Sequence, residues 1–177
     1  LGGSLSETRY PKAGQTNPQV RIGIVDLTSE CMGCPMRCED AVTWADFDPS
    51  LDQYFGIPFW GPDSQEFFVA RMPRLQNTID LYAVNVADGS KRHVYNETYK
   101  TWLNWFDGVV FTDNGLYMAR EFETGWQQIY FLSYDGKEFR RLTDGTNWSV
   151  TVLRVDEKKG DVYFTAKRDA TVRHALY

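Results

Sequence analysis

The chain repeats one short pattern of residues at intervals of about 45–50 residues. Each copy is a polar turn followed by an aromatic run of strand length: SQEFFVAR at 64–71, NGLYMARE at 114–121 and KGDVYFTA at 159–166. Aromatic and β-branched runs bounded by Gly, Asp, Asn or Ser predict β-strands. A repeat of this length with four short strands is typical of a β-propeller blade, in which each sheet packs on the next.

Two Asp-Gly pairs mark a second feature of the repeat. Asp88-Gly89 and Asp135-Gly136 each lie between two runs of strand length, IDLYAVNV and SKRHVYNE in one copy, QIYFLSY and KEFRRLTD in the other. Asp-Gly predicts a tight hairpin, because the favoured hairpin turns need a positive φ that Gly adopts at little cost. The pairs therefore predict a turn between the third strand and the outer strand of each blade.

The repeat predicts an all-β fold: an arc of a β-propeller with about three to four four-stranded antiparallel blades in a single partial domain, residues 1–177. The approximate blades are 10–50, 51–98, 99–146 and an incomplete 147–177. The predicted inner strands are YFGIPFW at 54–60, TWLNWFD at 101–107 and SVTVLRVD at 149–156. The tryptophans recur near these strands, so we expect them to fill the wedges between blades. An antiparallel sandwich is the alternative fold.

Composition excludes two classes of partner. The formal net charge of -5 and the scarcity of clustered Lys and Arg argue against a nucleic-acid interface. No apolar run approaches the roughly 18–20 residues that a membrane-spanning helix needs. The chain starts without Met and without the pattern of a signal peptide, so we expect it to be a piece of a longer protein.

The cysteines form the most conspicuous cluster of chemically reactive residues. They lie in ECMGCPMRCED, residues 30–40, with the spacing C-x2-C-x3-C. A structural zinc site needs four ligands and an iron–sulfur cluster wants a fourth cysteine. The repeat register puts this stretch in the place of an outer strand. We expect no metal and no cofactor, with free thiols favoured over a weak metal site at Cys31, Cys34 and Cys38.

Three further segments resemble the dipeptidyl peptidase IV family of serine exopeptidases, and they occur in the same order as in that family. YPKAGQTNPQV at 10–20 resembles the family's Y-P-K-A-G-x-x-N-P-x-V segment. RLQN at 74–77 resembles its R-x-Q-N element, and GWQQIY at 125–130 resembles its G-[WY]-x-x-[IL]-Y strand. The resemblance covers almost the whole chain. It implies an N-terminal eight-bladed propeller joined to a C-terminal α/β-hydrolase domain that carries the catalytic Ser, Asp and His.

The resemblance also implies that the chemistry lies outside this segment. The sequence contains no G-x-S-x-G motif and no Glu-Glu pair of the kind that grips a substrate amino terminus in this family. Its two histidines, His93 and His174, fall on predicted outer or third strands. We therefore expect no catalytic residue here, and a segment that is inactive alone within an enzyme that removes N-terminal dipeptides.

One element of the substrate pocket is carried over from the family. Its basic–Phe–basic triplet lines the extended part of the pocket, and the matching positions here are Trp105, Phe106 and Asp107. Both basic residues are missing, so only an apolar wall of Trp105 and Phe106 is predicted. The alternative is that Phe106 is a core residue at the end of a strand.

The family further implies the partners and the location of the protein. The partners are a peptide substrate bound by the intact enzyme, the missing hydrolase domain of the same chain, and other copies in a homo-oligomer, as a dimer. Family members are exported, which implies a periplasmic or extracellular location and leaves one disulfide among the three cysteines open. The alternative function is a free-standing propeller-like binding module without peptidase activity.

Overall fold

A computed structural model describes residues 7, 10–26, 42–169 and 172–177. All regular structure in these ranges is β-structure, in four antiparallel sheets. Within the same ranges no helix has the length and apolar character needed to cross a membrane. The predicted all-β class is therefore confirmed.

The strands follow one another along the chain from sheet to sheet, with no exchange between sheets. Sheet 1 contains β1 (Gly23–Val25) and β2 (Val42–Trp44). Sheet 2 contains β3 (Gln53–Phe55), β4 (Phe59–Trp60), β5 (Glu66–Pro73), β6 (Thr78–Asn85) and β7 (Lys91–Thr98). Sheet 3 contains β8 (Val110–Phe111), β9 (Gly115–Arg120), β10 (Gln128–Ser133) and β11 (Phe139–Arg141). Sheet 4 contains β12 (Trp148–Asp156), β13 (Asp161–Lys167) and β14 (Ala175–Leu176).

Sheet 2 lies between sheets 1 and 3 and is buried on both faces. Consecutive side chains of its strands point to opposite sides, so each strand contributes to both cores. On β5, Phe67 and Val69 pack with residues of sheet 1, whereas Phe68 and Met72 pack with residues of sheet 3. A third core lies between sheets 3 and 4, where Tyr117, Ile129, Phe131, Val152 and Phe164 meet. The sheets thus stack face to face in chain order, as the repeat predicts.

The inner edge of sheet 2 confirms the predicted strand YFGIPFW, but in two pieces. β3 and β4 both pair with β5, and the gap between them contains Gly56 and Pro58. Proline has no N–H to donate to the neighbouring strand, which accounts for an interruption at an edge.

The predicted inner strand at 101–107 is wrong. Those residues form no strand, and the inner strand of sheet 3 is β8, which begins at Val110. Leu103 and Phe106 turn inward and are 3% and 8% exposed. Two side chains three residues apart cannot lie on the same face of a regular strand, because its period is two residues. This stretch is therefore held to the core by the buried side chains of Leu103 and Phe106, and it does not pair with a strand.

The two Asp-Gly turns fulfil a role beyond reversing the chain. Gly89 and Gly136 have φ values of 73° and 74°. A methyl group on Gly89 would overlap the carbonyl oxygen of Trp44, and one on Gly136 would overlap that of Val94. Each turn thus packs its glycine against the backbone of the outer strand of the preceding sheet, and the same contact occurs at two successive sheet interfaces.

Five of the six tryptophans do not fill the wedges between sheets, contrary to the prediction, whereas Trp105 packs against the core between sheets 2 and 3. These five are between 40% and 63% exposed: Trp44, Trp60, Trp102, Trp126 and Trp148. Smaller side chains fill the cores instead, chiefly Phe, Tyr, Leu, Ile, Met and Val.

The cysteine segment lies outside the described residues, so the state of Cys31, Cys34 and Cys38 stays a prediction. The described strand that pairs with β1 is β2, with Ile24 opposite Thr43. β2 begins after the cysteine segment, at Val42.

Candidate functional site

The connection between β7 and β8, residues 99–109, is the irregular segment that carries the predicted pocket residues. Its backbone is tied to the turn between β5 and β6: the N–H of Tyr99 donates to the carbonyl of Asn77 at 2.9 Å, and that of Leu103 to the carbonyl of Gln76 at 3.0 Å. Leu103 belongs to the core between sheets 2 and 3. One side of the connection is therefore anchored by backbone hydrogen bonds and by burial.

Arg120, the last residue of β9, holds the other side of the connection. Its Nη1 donates to the carbonyl oxygens of Asn104 at 3.0 Å and Trp105 at 3.3 Å. Its guanidinium carbon lies 4.8 Å from the centre of the Phe106 ring, a cation–π geometry. One side chain thus contacts three consecutive residues of the connection.

A buried carboxylate fixes the guanidinium in turn. Arg120 donates from Nε to Oε2 of Glu97 at 2.8 Å and from Nη2 to Oε1 at 3.0 Å. The two side chains are 4% and 1% exposed. A two-point contact of this kind sets the plane of the guanidinium as well as its position. Nη1 is not used by Glu97 and is free to donate to the carbonyls of Asn104 and Trp105 in the connection.

Tyr95 completes this buried cluster. Its hydroxyl donates to Oε2 of Glu97 at 2.8 Å. Burial and then the nearby Glu97 carboxylate raise the pKa of Tyr95 far above its ordinary value, so the hydroxyl keeps its proton and remains a donor. Tyr95 also packs its ring against Phe106, with 6.1 Å between the ring centres.

The predicted wall residues occupy different environments. Phe106 is 8% exposed and belongs to the core between sheets 2 and 3. Trp105 is half-buried, and its ring lies close to Gly56, in the gap between β3 and β4. Trp102, on the same connection, is 63% exposed. The role of Trp105 and Phe106 in substrate binding stays a prediction.

The sequence reasoning missed Glu97 and Arg120. The only available signal was a charged residue in a predicted strand otherwise rich in apolar side chains, as in GLYMARE and HVYNE. Such a residue is usually solvated, and two residues on different repeats show no spacing that would pair them. Only the packing of sheet 2 on sheet 3 brings them together.

The two histidines are engaged elsewhere. His93 Nε2 lies 3.2 Å from Oδ1 of Asp80, and His174 Nε2 lies 3.0 Å from Oγ of Ser149. Both histidines are themselves exposed. In the part of the chain that the structure describes, no carboxylate bonds to His174, so this Ser–His contact lacks the orienting acid of a triad.

Comparison with known proteins identifies the family. The family model described as "Dipeptidyl peptidase IV (DPP IV) N-terminal region" matches residues 4–177. The chain belongs to this family. Dipeptidyl peptidase 4 of Arthroderma otae is 31% identical over 180 residues, which are 95% of this chain and 22% of the relative. Probable dipeptidyl peptidase 4 of Emericella nidulans is 23% identical over 184 residues.

Solved structures agree with the fold of a DPP IV N-terminal region. The crystal structure of Porphyromonas gingivalis dipeptidyl peptidase 4 superposes with a TM-score of 0.74 at 22% identity, covering 96% of this chain and 23% of that one. A putative dipeptidyl aminopeptidase IV from Bacteroides ovatus gives 0.72 at 19% identity, covering 96% and 25%. The predicted arc of a β-propeller is thereby confirmed. The chain spans about a fifth of the length of the relatives it matches, 22% for the Arthroderma enzyme.

The described part of this DPP IV N-terminal region contains no group of three or more His, Cys, Asp or Glu side chains that could hold a metal ion. The cysteine segment is outside that part. The expectation of no metal and no cofactor therefore stays a prediction.

Proposed function

We propose that this chain is the non-catalytic propeller segment of a serine exopeptidase that removes N-terminal dipeptides from peptides. The observation that carries the proposal is the family match over residues 4–177. The reaction belongs to a hydrolase domain of the same protein: a Ser attacks the scissile carbonyl, a His accepts its proton, an Asp orients the His, and N–H donors stabilise the oxyanion. The propeller segment would admit and align the peptide.

The full-length protein tests this function. It is expected to release dipeptides from a peptide with a free N-terminus and a Pro or Ala at the second position, and to lose activity with a reagent that acylates reactive serines. The same peptide with an acetylated N-terminus is the control, and it should stay intact. A purified, folded full-length protein that releases no dipeptide would favour the binding-module alternative.

We propose that Trp105 and Phe106 form an apolar wall for the part of the peptide beyond the scissile bond. Trp105→Ala and Phe106→Ala in the full-length enzyme are expected to raise KM for longer peptides by roughly fivefold to thirtyfold, because each removes apolar contact. KM for a chromogenic dipeptide should stay unchanged. Trp148→Ala is the control, because Trp148 is an indole on sheet 4, away from the connection that carries Trp105. An unchanged KM for long peptides in both wall variants would refute the wall.

We propose further that the segment contributes contacts between subunits of a homo-oligomer. On sheet 4, Val152 and Phe164 pack against sheet 3, whereas Leu153 and Tyr163 are 54% and 37% exposed. An exposed apolar sheet face favours association. The full-length protein is expected to be a dimer in light scattering. The isolated segment 1–177 is expected to self-associate through this face, which the next blade would cover in a whole propeller, and Leu153→Glu to reduce the associated fraction. A monomer at high concentration would count against the proposal.

We propose an exported, periplasmic or extracellular protein, on the strength of the family membership. Fractionation of the source cells checks this location. Recovery of the full-length protein only from the cytoplasm would contradict it.

A further inference from the structure

The connection 99–109 is irregular, yet it is held by one of the most buried polar clusters in the described residues. A connection without strand pairing has few backbone hydrogen bonds to fix it, so side chains must take over that function. Arg120 does so from sheet 3, through the carbonyls of Asn104 and Trp105. Arg120 is thus the side chain that holds the backbone of Trp105.

We infer that Arg120 is a positioning residue for the peptide-binding wall. Glu97 holds the plane of its guanidinium with two hydrogen bonds, and Tyr95 orients Glu97 with a third. Phe106 lies under the guanidinium, and Trp105 beside it keeps its ring towards Gly56. Arg120 acts through the backbone and does not touch the peptide. This inference deepens the proposed function and rests on it.

An arginine is required at position 120 because this one side chain donates four hydrogen bonds. Nε and Nη2 pair with Glu97, while Nη1 donates to both backbone carbonyls. A lysine at the same position keeps a positive charge next to Glu97, so the burial of that carboxylate stays compensated. A single ammonium cannot reproduce the planar fork and reach the carbonyls as well. Arg120→Lys therefore keeps the positive charge beside Glu97 and removes the hydrogen bonds that position the connection.

The experiment measures kcat and KM of the full-length enzyme with a chromogenic dipeptide and with a longer peptide that begins with the same dipeptide. For Arg120→Lys we expect KM for the longer peptide to rise about tenfold, with kcat and the dipeptide KM unchanged, since binding of the extended part alone is disturbed. Hydrogen exchange should accelerate at residues 103–106. A purely structural defect would lower kcat for both substrates or reduce the folded fraction.

Arg92→Lys is the control for a guanidinium that bridges the same two sheets at a more exposed site. Arg92 also bridges sheets 2 and 3, pairing with Glu66 and donating from Nη1 to the carbonyl of Tyr134 at 2.7 Å. Arg92 lies on β7, and the carbonyl that it contacts belongs to the turn between β10 and β11, away from the connection. Its replacement should leave both KM values unchanged.

Three results would overturn the inference, and only the third is also a failure of the proposed wall. If Trp105→Ala raises the long-peptide KM but Arg120→Lys does not, the wall exists and Arg120 does not position it. If Arg120→Lys and Arg92→Lys raise it equally, the effect is a general loosening of the sheet interface. If neither Trp105→Ala nor Phe106→Ala changes it, the wall itself is refuted, and the inference is refuted with it.

Discussion

Arg120→Met is expected to lower the free energy of unfolding by about 3–5 kcal/mol, because it leaves the Glu97 carboxylate buried without its partner. Both side chains are at most 4% exposed, so little solvent remains to compensate the charge. The carbonyls of Asn104 and Trp105 lose their donor in the same variant. The shift in the urea midpoint of the full-length protein measures the effect.

Arg141→Met is the control for this loss of stability. Arg141 pairs with Glu123 at 2.9 Å, but the two side chains are 36% and 42% exposed. Exposed pairs contribute about 0–1 kcal/mol, so a small shift is expected. The double variant Glu97→Leu with Arg120→Met should recover part of the loss, because no unpaired charge is left, although the Tyr95 hydroxyl loses its acceptor. Equal shifts for Arg120→Met and Arg141→Met would contradict the importance of burial.

Gly136→Ala is expected to have the second large effect on stability. A residue with a side chain at positive φ costs about 1–2 kcal/mol, and φ here is 74°. The added methyl group would also overlap the carbonyl oxygen of Val94, and such overpacking costs about 1–3 kcal/mol more. The two costs together should lower the free energy of unfolding, and the overlap should push the turn of sheet 3 away from the outer strand of sheet 2.

Gly125→Ala is the control that separates the cost of the positive φ from the cost of the overlap. Gly125 has nearly the same φ, 76°, but a methyl group there would meet no atom within 4 Å. It should therefore show only the backbone cost, and the difference between the two urea midpoints reports the contact between sheets. A Gly125→Ala variant as unstable as Gly136→Ala would show that the contact with Val94 contributes nothing. Gly89→Ala should behave like Gly136→Ala, because its methyl group would overlap Trp44.

The repeat and its turns could be predicted from the sequence because both are local. The aromatic run in SQEFFVAR and the Asp-Gly pairs depend only on neighbouring residues, and β5, β6, β9, β10 and β13 lie where they were predicted. The failures are non-local. TWLNWFD has strand composition, but burial of Leu103 and Phe106 on the same side prevents a strand.

The candidate site also has a part that the sequence indicated and a part that only the structure showed. The resemblance pointed to Trp105 and Phe106, which are adjacent in the sequence. Their support comes from Glu97 and Arg120, which are 23 positions apart. A charged pair is recognisable as buried only once the surrounding sheets are known, because the same residue types on a strand are usually solvated.

The sequence alone determined the all-β class, the repeat and the turn positions, since aromatic and β-branched runs and glycine turns act over only a few neighbouring residues. The tertiary structure alone decided where the repeats meet. It set Gly136 against Val94 and Arg120 against Glu97, and it left most of the tryptophans at the surface. Those contacts join different sheets, and close packing between sheets depends on shapes and distances that no single segment contains.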